Sequence, residues 1–394
     1  MAKTFLLDAE GVSTRIRRQY RNQHRDWLAG NGHWPLSIPL GIPSEQQAER
    51  DLFAVKKWVV AWQNWQGIGE LVWTTRCWRK LGQQNLPEKL LLQTPDQAAS
   101  WIGEKTRWQT AHNRYCAFVE RWPMLASHLP RHFPILADAP DSDIQKLIAV
   151  LSWLQANPAS QLYIRQLPIE GVDTKWLGNH KKLISELLAC LHALESEPGD
   201  FYAITGIRRE PLRIRMRILD DSLRKLCGGL GDITAPIDEL KNLNLPVRQI
   251  YIVENIQTGL AFGDIPGAVV IMGLGYSVDL LAQIPWMKQS PAFYWGDIDT
   301  HGFAILGRAK ASLPNIRSIL MDETTLLKHK NLWVHEKKPG KSAEADYLTG
   351  AERQVYKNLL ENKWGNQIRL EQERLCWEYV WHCIILNQSV DSTD

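Results

Sequence analysis

The chain has little that would cross-link or anchor it. Its six cysteines, Cys77, Cys116, Cys190, Cys227, Cys376 and Cys383, are scattered and form no C-x-x-C pair. That excludes the usual spacing of a structural zinc site or a redox dithiol and leaves buried free thiols as the expectation. No window of about 18 apolar residues occurs, so no transmembrane helix is expected. The opening stretch "MAKTFLLDAEGVSTRIRRQY" has too short an apolar run and the wrong flanks for a signal peptide, and a cytoplasmic protein is expected. Charge of one sign is also lacking: 46 basic residues against 43 acidic leave a net +3, which does not by itself demand a nucleic-acid partner. There is no internal repeat and no low-complexity segment.

What is present fits a globular protein of two or three domains: 394 residues, 44% hydrophobic and 23% charged. Tryptophan is frequent, with 18 copies, 12 of them before residue 177. Most are expected to be packing residues, with base-stacking platforms as the alternative for a few. Charge is uneven locally. "RIRRQYRNQHR" (15–25) carries five arginines and no acid, and "KHKNLWVHEKKPGK" (328–341) carries five lysines and one glutamate. Each is either a phosphate contact or a solvated face.

Residues 1–165 read as a mostly helical arm, a region for dimerisation or partner docking. "SEQQAERDLFAVKKWVVAWQNW" opens with Ser44 as N-cap and Gln47 completing a capping box, then places Leu52, Val55, Trp58, Val59 and Trp62 on one helical face. "SDIQKLIAVLSWLQAN" repeats the pattern, with Ser142 as cap and Pro158 beyond the end. Residues 166–243 change character. An amphipathic helix, "TKWLGNHKKLISELLACLHAL", precedes "PLRIRMRILDD", where Leu212, Ile214, Met216 and Ile218 alternate with Arg213, Arg215 and Arg217. Helix followed by a basic-faced strand suits a winged-helix-like DNA-binding module, with a solvated surface as the alternative.

From residue 244 to 394 the pattern is α/β. "VRQIYIVE", "GAVVIMG", "PAFYWGD" and "IRSILM" are apolar on both faces, as strands covered on both sides must be. Between them lie the helices "SVDLLAQIPWM" and "THGFAILGRAKASLP". "DETTLLKHKNLW" opens another helix with Asp322 as cap, and the chain closes as helices. Short alternating elements imply right-handed crossovers and a mainly parallel, Rossmann-like sheet.

In such a sheet the functional crevice lies outside the carboxyl ends of the strands. Glu254 ends "VRQIYIVE"; Asp297 and Asp299 end "PAFYWGDID". Period-two spacing puts the two aspartates on one side of an extended chain. Like charges that close repel unless a cation neutralises them, and an all-oxygen, carboxylate-rich set selects a hard ion such as Mg²⁺ or Mn²⁺. The alternative is a plain helix cap at Asp299. Gly273 and Gly275 suit a tight turn after the second strand. Asn255 and Thr258 either hold the Glu254 loop or start a helix. His301 either faces a phosphate, orients an aspartate, or lies at a helix N-terminus as a surface residue. Glu323 fits the first turn of a helix without any metal.

The segments "IYIVENIQT", "VVIMGLGYSVDLL", "FYWGDIDTHGFAIL" and "RSILMDETTL" resemble a Toprim domain, which carries a glutamate after its first strand and a D-x-D after its third. Together with "YIRQLPIEGVDTKWLGNHKKLISELL", they make the chain resemble, from about residue 10 onward, the JetD (MksG) family of the bacterial Wadjet anti-plasmid systems. That family is similar to the A subunit of type IIB topoisomerases. The resemblance implies a multidomain fold of helical arm, winged-helix-like module and C-terminal Toprim domain. It also implies a metal-dependent DNA endonuclease that cuts circular plasmid DNA beside an SMC-like ATPase complex with kleisin-like subunits. By motif, Glu254 corresponds to the Toprim glutamate, and Asp297 and Asp299 to the D-x-D pair, as metal ligands. Glu254 acts as a further ligand or as general base. Two-strand cutting implies a homodimer. The topoisomerases attack DNA with a tyrosine, whereas residues 166–243 hold only Tyr202, in no matching motif, so hydrolysis by water is expected. The alternatives are a strand-passage subunit and a non-catalytic DNA-binding adaptor.

Overall fold

The computed structural model describes residues 6–192, 199–313, 315–340 and 344–390. The chain divides into two compact units, Met1–Arg209 and Glu210–Asp394.

The first unit is helical, with a small sheet that the sequence reading did not foresee. Strand β1 (Leu36–Pro39) pairs with β3 (Gly82–Leu92), which pairs with β2 (Glu70–Trp78), all antiparallel. The β2 stretch "ELVWTTRCW" is rich in β-branched and aromatic residues, and Gly82 takes φ +71° at the turn. Pro87 is tolerated in β3 because it sits at the register shift opposite Val72 and Trp73. The Ser44–Gln47 capping box forms, but Asp51 then caps a second helix, Leu52–Gln63, so the expected single helix is two. Val55, Trp58 and Trp62 are buried and Leu52 is exposed. The helix Asp141–Ala156 starts after Pro140, two residues earlier than a Ser142 cap would place it.

The tryptophans of this unit are mainly packing residues: Trp27, Trp58, Trp62, Trp108, Trp122 and Trp176 are buried. Trp58 and Trp62 both donate Nε1–H to the Leu7 carbonyl, at 2.8 and 2.9 Å. The cysteines are free but none is fully buried: Cys77, Cys116 and Cys376 are exposed and the others half-buried. Among the described residues no helix is long and apolar enough to cross a membrane.

The second unit is built on a six-stranded mixed sheet of order β5-β4-β7-β6-β8-β9. Its strands are β4 (Arg213–Ile218), β5 (Asp232–Pro236), β6 (Gln249–Val253), β7 (Ala268–Met272), β8 (Ala292–Trp295) and β9 (Ile316–Ser318). The four strands expected from apolar runs are β6 to β9, and they pair in parallel. Every residue of β7 and β8 is buried, which is why these strands read as unbroken apolar runs. The basic strand β4 joins this same sheet, antiparallel to β7 and to β5. Residues 166–243 are thus divided: the helix Thr174–Leu191 lies in the first unit and β4 in the second. The end of the chain is not all helix. Between Gly350–Leu360 and Trp377–Val390 runs an irregular strap containing β11 (Ile368–Arg369), which pairs with β10 (Val334–His335), and a 3-10 turn at Gln372–Arg374.

A candidate active site at the carboxyl ends of the parallel strands

Strands β6 and β8 are parallel neighbours with Val253 opposite Trp295. The residues that follow them therefore leave the sheet side by side. Glu254 follows β6, and Gly296, Asp297, Ile298 and Asp299 follow β8. The Glu254 Oε2 accepts the Asp297 backbone N–H at 3.3 Å. Asp299 is the N-cap of the helix Thr300–Ser312, its Oδ1 accepting from Gly302 N at 2.7 Å. A Cβ on Gly302 would lie 2.0 Å from the Asp297 carbonyl oxygen, so only glycine lets the helix start this close to the D-x-D turn. Asp297 and Asp299 are 9% and 2% exposed; burying two acids this deeply demands compensation.

The strap Arg369–Glu373 supplies it. Ile298 and Leu370 exchange backbone hydrogen bonds at 2.9 and 3.1 Å, which lays the strap across the D-x-D segment. Arg369 Nε donates to Asp297 Oδ2 at 3.1 Å, its Nη2 also bonds Asp297, and Nε lies 3.1 Å from Asp299 Oδ2. Gln372 N donates to Asp297 Oδ1 at 2.8 Å. The Gln372 side chain donates to the Trp295 carbonyl and accepts from Asn255 N at 3.2 Å. Asn255 starts a helix, its Oδ1 accepting from Gln257 and Thr258 N–H, and its amide also bonds Glu373. Glu254, Asn255, Asp297, Arg369, Glu371 and Glu373 line a cavity of about 210 Å³.

Burial, and then repulsion from Asp297 and Asp299, pushes the Glu254 carboxyl up to about 7. Burial pushes Asp299 up to about 6, against the Gly302 N–H, with Glu336 and Asp297 adding repulsion. Tyr294 is fully buried beside them. Burial, then the three acids, drives its phenol well above the usual range, and its hydroxyl has no hydrogen-bond partner among the described residues. A Cβ on Gly296 would lie 2.7 Å from the Tyr294 hydroxyl and 3.0 Å from Glu254 Oε2.

The three acids singled out in the sequence are thus brought together. His301 is engaged elsewhere. Its Nε2 lies 2.7 Å from the Lys338 carbonyl, which can only accept, so Nε2 carries the proton and Nδ1 accepts from the Tyr276 hydroxyl at 2.6 Å. Gly273 and Gly275 take φ +76° and +50° in the turn after β7. Glu323 opens a helix capped by Asp322. Glu336, read only as the lone acid of a basic stretch, is 2% exposed and accepts from Thr300 Oγ1 at 2.5 Å; Lys341 of that stretch lies outside the described residues. Arg369, Glu371 and Glu373 escape the sequence pattern because it assigns "RLEQE" to a closing helix, whereas the structure makes Ile368–Arg369 a strand and Gln372–Arg374 a short 3-10 turn.

The second unit is a mixed α/β domain with a buried acid cluster at the carboxyl ends of adjacent parallel strands. Residues 206–384, nearly all of that unit, match the family model of Wadjet protein JetD, C-terminal. Residues 9–189 match that of an uncharacterized protein conserved in bacteria, N-term (DUF3322). The two matches support the JetD family for this chain. No curated protein matches it.

Proposed function

We propose that this chain is the metal-dependent DNA endonuclease subunit of a Wadjet-type, SMC-like defence complex. The observation that carries this is the convergence of Glu254, Asp297 and Asp299 at the ends of β6 and β8. A glutamate after the first parallel strand and a D-x-D after the third is the Toprim arrangement. The match to Wadjet protein JetD, C-terminal supports plasmid DNA as substrate, and an SMC-like ATPase with kleisin-like subunits as partners, in the cytoplasm.

The residues fit Mg²⁺ or Mn²⁺. The donor set is all carboxylate oxygen, a guanidinium stands among the acids as a cationic stand-in, and the Tyr294 hydroxyl is an orphaned buried donor beside them. Among the described residues no three Asp, Glu, His or Cys side chains are already grouped as a ligand set. Asp297 and Asp299 would hold the cation, with Glu254 at its side. When bound, the cation polarises the phosphoryl oxygen and stabilises the leaving alkoxide. Glu254 lines the cavity, so its carboxylate would take the proton of the attacking water as the water oxygen bonds phosphorus and the P–O bond to the sugar breaks. The strap holds Asp297 through Gln372, and Asp299 is fixed by its capping bond.

In the assembled complex with Mn²⁺ or Mg²⁺, circular DNA is expected to become linear. Glu254→Gln is expected to slow cutting by about 10²–10⁴-fold, and Asp297→Asn to abolish it. Unchanged cutting in both variants overturns the proposal. Relinked topoisomers in place of linear product would establish strand passage, and metal-independent binding without any cleavage would establish an adaptor. The covalent alternative has one observation in its favour: Lys181 Nζ donates to the Tyr202 hydroxyl at 2.8 Å. A protein–DNA adduct that vanishes in Tyr202→Phe would replace hydrolysis with tyrosyl transfer.

A further inference from the structure

Arg369 occupies the place where the proposed cation would bind. Its Nε is 3.1 Å from Asp297 Oδ2 and 3.1 Å from Asp299 Oδ2, the oxygens the two acids turn toward each other. A divalent cation sits about 2.0–2.6 Å from each carboxylate oxygen, so it and the guanidinium would compete for the same lone pairs as neighbouring like charges. One must leave. The backbone of Arg369 is fixed by the β10–β11 pairing and the bridge between Ile298 and Leu370. The side chain is freer: it is 36% exposed at the edge of the cavity of about 210 Å³. A second acceptor lies there: Glu371 accepts from Arg374 Nε through Oε2 at 2.9 Å, and its Oε1 is 3.7 Å from Arg369 Nε. Asp297 does not need Arg369 to keep its orientation, because Gln372 N holds Oδ1 at 2.8 Å.

The geometry points to Arg369 as a displaceable internal counter-ion. In the metal-free protein it bridges Asp297 and Asp299. When a divalent cation binds, the guanidinium moves toward Glu371 and the cavity mouth, where its planar fork is presented to the non-bridging oxygens of a phosphodiester. This rests on the metal reading of the acid cluster, and it makes Arg369 a positioning residue that couples metal loading to phosphate capture.

Two measurements on the full chain test it. Mn²⁺ binding, followed by the loss of the free-ion electron paramagnetic resonance signal, is expected to be about tenfold tighter in Arg369→Gln than in the wild type. In the wild type, Mn²⁺ is expected to raise several-fold the rate at which phenylglyoxal modifies Arg369, read by peptide mass spectrometry. The second measurement needs no variant to fold. Equal or weaker Mn²⁺ binding by Arg369→Gln, or a modification rate indifferent to Mn²⁺, overturns the displacement while leaving the metal site standing. Absence of Mn²⁺ binding by both proteins overturns the metal site, and the displacement with it.

Discussion

Lys310 and Glu352 form an ion pair whose side chains are 10% and 8% exposed, with Nζ 2.7 Å from Oε2. Ser318 and the Thr349 N–H also donate to Glu352, at 2.6 and 2.8 Å. Burial alone would raise this carboxyl; the Lys310 and Ser318 hydrogen bonds outweigh it and hold Glu352 below the usual carboxylate range. A depressed folded value stabilises the fold above the ordinary glutamate value, near pH 4.5, and that contribution disappears as pH falls through the folded value. Lys310→Met leaves a buried charge uncompensated and is expected to cost about 3 kcal/mol at pH 7. The deficit should shrink below about pH 4.5 as Glu352 takes a proton. Urea denaturation of wild type and variant at both pH values checks this; a pH-independent deficit would contradict it. Asp299 shows the same economy at the site, as one carboxylate caps a helix with Oδ1 and faces Arg369 with Oδ2.

At the scale of elements, two of the three arginines of β4 are engaged by partners within the protein. Arg215 pairs with Asp232 on β5 at 2.7 Å. Arg217 Nη1 donates to the carbonyls of Gly259, Leu260 and Phe262, the open C-terminal end of the helix Ile256–Ala261. Arg217→Ala is therefore expected to destabilise the protein by about 1–3 kcal/mol and to leave the salt dependence of DNA binding unchanged; a shallower salt slope would restore β4 as a DNA contact. The helix Ala9–Leu28 is different. Val12, Ile16 and Tyr20 are buried, while Arg17, Arg18, Arg21 and Arg25 are exposed, and Arg17, Arg18 and Arg21 line a shallow groove with Thr14 and Asn22. Spacings of three and four residues make these side chains neighbours along one surface. Replacing Arg17 and Arg21 together by Gln is expected to lower the slope of log K against log salt by about 2 and weaken binding across DNA sequences alike. An unchanged slope in a DNA titration at several salt concentrations would remove this helix from the interface.

For the molecule as a whole, the proposed endonuclease activity would give each chain one acid cluster, enough to cut one strand. Cutting both strands of a duplex calls for two copies, and a two-fold dimer supplies them with the least interface design. Sedimentation or light scattering of the purified chain is expected to give twice the monomer mass; a strict monomer that still linearises DNA within the complex would show that two-strand cutting does not require a dimer of this chain.

Much of this molecule is set by local pattern. The unbroken apolar runs "IYIV", "AVVIM" and "AFYW" read as strands covered on both faces, and an acid directly after such a strand lies at its carboxyl end. Glu254, Asp297, Asp299 and the cap at Ser44 were legible for that reason. The β2–β3 hairpin was not, because its tryptophans and aliphatics also suit a helical face. Neither was the fate of β4: alternation marks a strand, but which sheet accepts it depends on a partner edge, here β7, more than 50 residues away in sequence. Arg369 and Gln372 lie some 70 residues beyond the acids they hold. Local sequence thus determined the parallel strands, the caps at Ser44, Asp299 and Asp322, and the three acids. Only the tertiary structure decided which cation faces those acids, because a charge partner is chosen by proximity in space and leaves no periodicity in the chain.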